Sequence, residues 1–133
     1  MADVENVEQV VGPVDLTVPA SSEHLRVLRL VAASLAASLG LDIDQLDDLR
    51  IAVDELCSLL IEHAPDEARL RLTLCGDGGR LVAEGTLLQD APVAMIEEVS
   101  RLILDGLDVE WSSGSPAPSF TLAIPGRKPS DSA

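Results

Sequence analysis

The side chains best suited to direct chemistry in this sequence are two cysteines and two histidines. Cys57 and Cys75 lie in apolar runs without CxxC spacing, and His24 and His63 stand far apart without an HxxxH or HExxH pattern. Zinc sites in proteins are usually built from closely spaced Cys and His ligands, as in those three patterns. We therefore expect no metal site, and we expect both cysteines to be small buried hydrophobic residues.

Acidic side chains far outnumber basic ones. The chain of 133 residues has 23 Asp and Glu against 9 Lys and Arg, which gives a formal net charge of −14. Such a surface repels phosphate backbones and anionic lipids, and the aromatic residues are only Trp111 and Phe120, so we expect no nucleic-acid or membrane partner. The charge favours a basic protein partner steered by long-range attraction, or serves solubility alone.

The length fits one domain. The sequence has no apolar run long enough for a membrane span, and its acidic start MADVENVEQV lacks a signal-peptide pattern, so we expect a cytoplasmic protein. Residues 1–13 and 126–133 are predicted to be flexible tails around a domain of residues 14–125.

Hydrophobic periodicity predicts the element order β, α, α, β, β, α, β, β. After a strand over residues 14–18, Ser21 or Ser22 can cap a first helix that Gly40 ends. The third helix is predicted to be capped by Asp90, to be followed by Gly106 and to carry Val93, Ile96, Val99, Ile103 and Leu104. The remaining strands are predicted at residues 68–75, 80–86, 107–111 and 119–124. This order favours a two-layer α+β sandwich with a mostly antiparallel sheet.

The second helix has the clearest signals. Asp42 and Gln45 form a capping box, and Pro65 ends the helix. One face carries Leu46, Leu49, Val53, Leu56, Leu60 and His63. Acidic residues crowd the same segment, a run that we expect to be only a solvated face: Asp42, Asp44, Asp47, Asp48 and Asp54.

The motif in this helix is more specific than the periodicity around it. Residues 48–64 read DLRIAVDELCSLLIEHA. They resemble the N-box helix of the anti-sigma-factor branch of the histidine-kinase-like (GHKL) ATPases, the serine-protein kinases whose pattern is roughly L-R-I-A-V-x-E-A-x-x-N-A-x-x-H. Residues 49–53, Glu55 and His63 coincide with it, and the element order agrees over residues 14–124. The resemblance implies the GHKL (Bergerat) sandwich, with three helices on one face of the sheet.

The resemblance also implies a site for ATP and Mg²⁺, from which this sequence departs. In the family a Glu, here Glu55, orients or activates the attacking group, and an Asn one turn later holds Mg²⁺, where this chain has Leu59. The adenine-reading D-x-G-x-G box is replaced by EGTLL at residues 84–88, and the nucleotide lid is shortened to about residues 88–90. We predict a degenerate site, with Glu55 as a catalytic remnant and no cofactor unless ATP and Mg²⁺ bind despite these losses.

The departures from the family pattern concern the ATP site and do not affect the first helix, which family members use to bind proteins. In the family an arginine of the first helix serves both the sigma factor and its antagonist, and Arg29, with Arg26 one turn earlier, is the nearest match. We predict that Arg26 and Arg29 bind partners; the alternative is that they solvate an exposed helix face.

The predicted protein is a homodimeric anti-sigma factor. It sequesters an alternative RNA polymerase sigma factor until an anti-anti-sigma factor releases it. Two alternatives stay open: an active ATP-dependent serine kinase that phosphorylates this antagonist, and an interaction domain with a non-sigma partner.

Overall fold

The computed structural model of the chain describes residues 11–62, 64–77, 79–89, 96–114 and 118–125. These residues form three α-helices packed on one face of a five-stranded antiparallel sheet. The strands are β1 (Val11–Pro19), β2 (Arg69–Asp77), β3 (Arg80–Leu87), β4 (Glu110–Gly114) and β5 (Ser119–Ile124). The helices are α1 (Leu25–Ser38), α2 (Ile43–Glu62) and α3 (Glu98–Asp105). The predicted two-layer α+β sandwich of the GHKL type is confirmed.

The sheet has strand order β1-β2-β3-β5-β4, and each neighbouring pair is antiparallel. Strand side chains alternate between the two faces, so every second residue meets the helices. The buried inner positions are Leu70, Leu72, Leu74, Leu81, Ala83, Phe120, Leu122 and Ile124. The outer face carries polar residues such as Arg71, Glu84 and Thr121, all exposed. The hydrophobic core therefore lies between the sheet and the helices.

Helix α2 begins at the predicted capping box. The Gln45 N–H donates to Asp42 Oδ1 at 2.8 Å, and the Asp42 N–H donates to Gln45 Oε1 at 2.9 Å. The Gln45 side-chain amide also donates to the Pro125 carbonyl at 3.0 Å, which joins the helix start to the end of β5. The buried face is the predicted one, with Leu49, Ala52, Val53, Leu56, Cys57 and Leu60. His63 lies outside the described residues.

Helix α1 ends before Gly40 as predicted, but the predicted cap by Ser21 or Ser22 was wrong, because His24 stands at the N-cap and neither Ser21 nor His24 makes a side-chain capping hydrogen bond. Ser21 precedes a short 3₁₀ turn, Ser22–His24, that leads into the α-helix at Leu25. Gly40 has φ +82°, the left-handed conformation expected after a helix C-terminus. Leu28, Ala32 and Ala36 are buried. This face packs α1 against α2 and the inner side of the sheet.

Strand β1 begins at Val11, three residues before the predicted boundary at residue 14. The Gly12-Pro13 pair suggested the end of a tail, yet the strand continues across it with an irregular register between Val11 and Val14. Proline is tolerated there because, among the described strands, β1 stands at the edge of the sheet and pairs with β2 alone.

Helix α3 is shorter than predicted. Glu97 is extended and precedes the helix at Glu98, so Asp90 is not its cap; Asp90 and Val93 lie outside the described residues. Among the apolar residues that the helix carries, Val99 and Ile103 are 65% and 37% exposed, whereas Leu104 is buried. Helical spacing identifies an apolar stripe, but the tertiary contacts decide which part of it is covered.

Two contacts explain the position of α3 and of the strand after it. The Trp111 indole N–H donates to Asp105 Oδ1 at 3.0 Å, which fixes the end of α3 against β4. The Asp108 N–H donates to Asp48 Oδ2 at 3.1 Å, so the connection docks on α2. Strand β4 begins at Glu110, three residues after the predicted residue 107. Within the described residues no helix has the length and apolar character needed to cross a membrane.

Candidate functional site

Arg26 and Arg29, the predicted partner-binding residues, share an open groove between α1 and α2. The groove has a volume of about 210 Å³, and its lining is completed by Leu30 and Ala33 of α1 and by Arg50 of α2. Helical spacing explains the α1 contribution, because positions 26, 29, 30 and 33 fall on one side of a helix. The structure thus brings both predicted arginines together and adds a third.

Arg29 is held in place by a carboxylate from the other helix. Its Nη1 donates to Asp54 Oδ2 at 3.1 Å, and both side chains are 38% exposed. Asp54 Oδ1 is buried and has no hydrogen-bond partner among the described residues. Arg26 is exposed. Arg29 is therefore oriented by the fold, beyond the simple solvation of a helix face.

Arg50 belongs to the motif segment over residues 49–53, but the sequence did not predict it as a partner-binding residue. Its Nη1 donates to Asp47 Oδ1 at 3.2 Å, one helical turn away, and the two side chains are 58% and 55% exposed. Such an exposed pair contributes at most about 1 kcal/mol. The available signal was the position of a scarce cation on the polar face of α2, one turn before Asp54.

The acidic run on α2 does more than solvate the helix. Asp44 is exposed, in agreement with the prediction, and Asp47 is exposed but also accepts a hydrogen bond from Arg50. Asp48, however, accepts the Asp108 N–H, and Asp54 binds Arg29. For these two residues the prediction was wrong, because their partners come from distant parts of the chain.

Glu55 lies on α2, partly buried, and Leu59 follows it one turn later, also partly buried. The isobutyl side chain of Leu59 has no atom that can ligate a hard cation, which requires oxygen ligands. Among the described residues no group of three or more His, Cys, Asp or Glu is arranged to hold a metal ion. The donor set beside Glu55 thus does not fit the Mg²⁺ position that the resemblance implies.

The residues at the adenine-reading position are arranged for packing. Glu84 is exposed and pairs with Thr121 on the outer face of the sheet, opposite to α2 and Glu55. Gly85 faces inward, where a Cβ atom would lie 2.3 Å from Phe120 Cε2. The Phe120 ring occupies the space above Gly85, so these residues do not fit a nucleotide either. The loss of ATP binding stays a prediction.

The thiols and the described histidine have structural roles. Cys57 is fully buried, and burial, assisted by the Asp54 carboxylate, raises the pKa of its thiol to about 12. Cys75 is also a free thiol but is partly exposed, so the expectation that it is buried was wrong. Its neighbours Leu74 and Gly76 are buried on the inner side, so Cys75 lies on the outer face of β2. His24 Nδ1 lies 2.8 Å from Ser21 Oγ, within one turn.

Comparison with known proteins identifies related sequences. The family model of the histidine kinase-like ATPase domain matches residues 18–97. A serine-protein kinase RsbW of Halalkalibacterium halodurans is 43% identical over 54 residues, covering 41% of this chain and 33% of the relative. An anti-sigma-F factor RsbW of Mycobacterium tuberculosis is 38% identical over 80 residues, covering 60% of this chain and 48% of the relative. The matches thus span between a third and a half of these relatives.

A solved structure shares the fold. The crystal structure of RsbU and RsbW domains from Mycobacterium tuberculosis superposes with a TM-score of 0.59 and 19% sequence identity. The superposition covers 88% of this chain and 34% of the other. At this identity the likeness concerns the arrangement of helices and strands alone.

Proposed function

The chain belongs to the histidine kinase-like ATPase domain family, and from this premise we propose that it is an anti-sigma factor. It binds an alternative RNA polymerase sigma factor in the cytoplasm, acts as a homodimer, and releases the sigma factor when an anti-anti-sigma factor binds an overlapping surface. Relatives named anti-sigma-F factor support this function.

The observation that carries the proposal is the accessible groove between α1 and α2. Arg26 and Arg29 line it together with Leu30, whose side chain is 64% exposed. Guanidinium groups beside exposed apolar surface are typical of protein–protein contacts, where arginine is enriched and lysine is depleted. A protein bound here would be covered over part of its own surface, which is sufficient to exclude competing partners.

Sequestration by this route needs no chemistry. An anti-sigma factor has to occupy the surfaces that the sigma factor uses for polymerase or for promoter DNA, and the acidic character of the chain suits the basic ones. Arg29, oriented by Asp54, supplies a directed hydrogen-bond donor at the contact. The antagonist displaces the sigma factor by competing for the same groove.

Co-purification with charge-reversal variants tests this function. The tagged chain, expressed in its native host, is expected to recover a sigma factor, and the double variant Arg26→Glu/Arg29→Glu is expected to recover far less. Arg69→Glu/Arg71→Glu is the matched control, because it makes the same charge change at exposed positions of the sheet. Equal recovery by both double variants would refute the role of the groove, and recovery of a different class of protein would refute the sigma-factor assignment.

A second candidate function is ATP-dependent phosphorylation of the antagonist. The retained Glu55 and a relative named as a serine-protein kinase favour it. The positions of Leu59, Glu84 and Gly85 favour binding alone, so we propose that the chain binds ATP weakly or not at all.

Calorimetric titration with Mg-ATP, together with a phosphorylation assay on an anti-anti-sigma domain, separates the two functions. We expect no micromolar affinity and no phosphate transfer. Leu59→Asn alone should restore neither, because Glu84 and Phe120 still fail to provide the purine site. Phosphate transfer that is lost in Glu55→Ala would establish the kinase instead.

A further inference from the structure

The groove between α1 and α2 is lined by positively charged side chains, although the molecule as a whole is negatively charged. Three of the nine Lys and Arg residues, Arg26, Arg29 and Arg50, line it in a chain of net charge −14. A groove lined by three arginines, two of them paired with Asp54 and Asp47, has a local electrostatic preference opposite to that of the chain as a whole. The ligand that fits the groove itself is therefore anionic.

The two ion pairs use few of the N–H donors that the three arginines of the groove offer. A guanidinium group offers five N–H donors. Arg29 and Arg50 each direct one nitrogen to an Asp of α2, and Arg26 forms no ion pair with any described residue. The Asp47–Arg50 pair is more than half exposed, so an incoming carboxylate can replace or share it at little cost.

The size and lining of the groove indicate the kind of anion. Sites for small molecules usually measure about 300 to 1,000 Å³, whereas this groove has about 210 Å³. Its lining includes two apolar side chains, Leu30 and Ala33, beside the arginines. The charged phosphates of a nucleic-acid backbone would leave Leu30 and Ala33 uncovered, whereas a protein segment with one apolar side chain next to carboxylates can contact both the apolar and the cationic lining residues.

We propose that Arg50 is a third partner-binding residue and that the groove accepts an acidic segment of the partner protein, with one apolar side chain on Leu30 and carboxylates on Arg26 and Arg50. The inference rests on the proposed function and deepens it. It separates two electrostatic roles: the net charge governs the approach to a basic partner, while the groove reads a local acidic segment on that partner. Arg29, already held by Asp54, positions the wall of the groove.

Fluorescence anisotropy with a defined peptide tests the groove directly. The probe is a short fluorescein-labelled helical peptide with leucine on one face and glutamate beside it, and its control replaces every glutamate with lysine. The wild-type chain is expected to bind the glutamate peptide and not the lysine peptide. Arg50→Gln should weaken binding at least about fivefold, the effect of losing one partly exposed charged hydrogen bond.

Arg71→Gln is the matched control, since it removes one exposed positive charge from the outer face of the sheet. It is expected to leave peptide affinity within about twofold of wild type, because charges beyond a Debye length are screened. Circular dichroism checks that both variants are folded. Equal losses in the two variants, equal affinity for the lysine peptide, no peptide binding, or tighter binding of a single-stranded DNA oligonucleotide would each overturn the inference.

Co-purification distinguishes this inference from the proposed function. If Arg50→Gln recovers as much sigma factor as wild type while Arg26→Glu/Arg29→Glu recovers none, Arg50 is not a partner-binding residue and the proposed function stands. If the wild-type chain recovers no sigma factor but binds the glutamate peptide, the acidic specificity of the groove holds and the sigma-factor assignment fails.

Discussion

Gly85 lies in the segment where the family has its adenine-reading box, yet its contacts serve packing. We expect Gly85→Ala to lower the free energy of unfolding by about 1 to 3 kcal/mol, the usual cost of overpacking a filled core. The added Cβ would lie 2.3 Å from Phe120 Cε2, so the buried ring must move. Urea denaturation followed by the fluorescence of Trp111 measures the change.

The control for this prediction is Gly106→Ala, where the nearest atom to the added Cβ is the Leu102 carbonyl oxygen at 3.4 Å and φ is negative. It should cost much less. Phe120→Leu in the Gly85→Ala background should be less harmful than the two single changes summed, because the ring no longer opposes the methyl group. Wild-type stability in Gly85→Ala would mean that the space above residue 85 is open.

The two cysteines should differ sharply in reactivity. The thiolate is the reactive form, and the pKa of about 12 leaves roughly 1 in 10,000 Cys57 thiols ionised at pH 8 in a site closed to solvent. Cys75 is partly exposed. We expect Ellman's reagent to modify one thiol in the native protein and two in guanidinium chloride, and to modify none in native Cys75→Ser. Rapid native labelling of Cys75→Ser would show that α2 opens readily.

At the scale of elements, the start of α2 depends on a reciprocal pair of hydrogen bonds between Asp42 and Gln45. Asp42→Ala should destabilise the fold by about 0.5 to 2 kcal/mol, the range for loss of an N-cap side chain. Asp44→Ala is the control: Asp44 is exposed in the first turn and contributes through the helix dipole alone, typically about 0.3 to 1 kcal/mol. Thermal unfolding of Asp42→Ala, Gln45→Ala and the double variant Asp42→Ala/Gln45→Ala gives the coupling energy between the two side chains. Additive losses of stability would argue against the capping box.

At the scale of the whole molecule, the net charge of −14 should control the rate of association with a basic partner. Long-range attraction is screened as the Debye length falls below about 10 Å, so the on-rate should drop as salt rises from about 0.05 M to about 0.5 M. Stopped-flow mixing with the sigma factor measures this dependence. Arg50→Gln should instead raise the off-rate, since it acts in the bound complex. An on-rate indifferent to salt would mean that the charge serves solubility alone.

Local chemistry was sufficient to predict much of this protein. The capping box, the left-handed Gly40, the buried stripe of α2 and the strand over residues 119–124 all depend on residues a few positions apart. Backbone conformation and amphipathic periodicity are set at that range, which is why the element order and the sandwich followed from the sequence.

Contacts between distant residues were decided by the tertiary structure alone. Arg29 and Asp54 are 25 positions apart, and their spacing does not predict the ion pair that orients Arg29 in the groove. Arg50 lines that groove because α2 packs against α1, and Asp105 at the end of α3 accepts a hydrogen bond from Trp111 of a later strand. Periodicity tells which side chains share a face of an element. What that face meets is determined by the packing of the whole chain, because the burial energy belongs to the assembled core rather than to any segment.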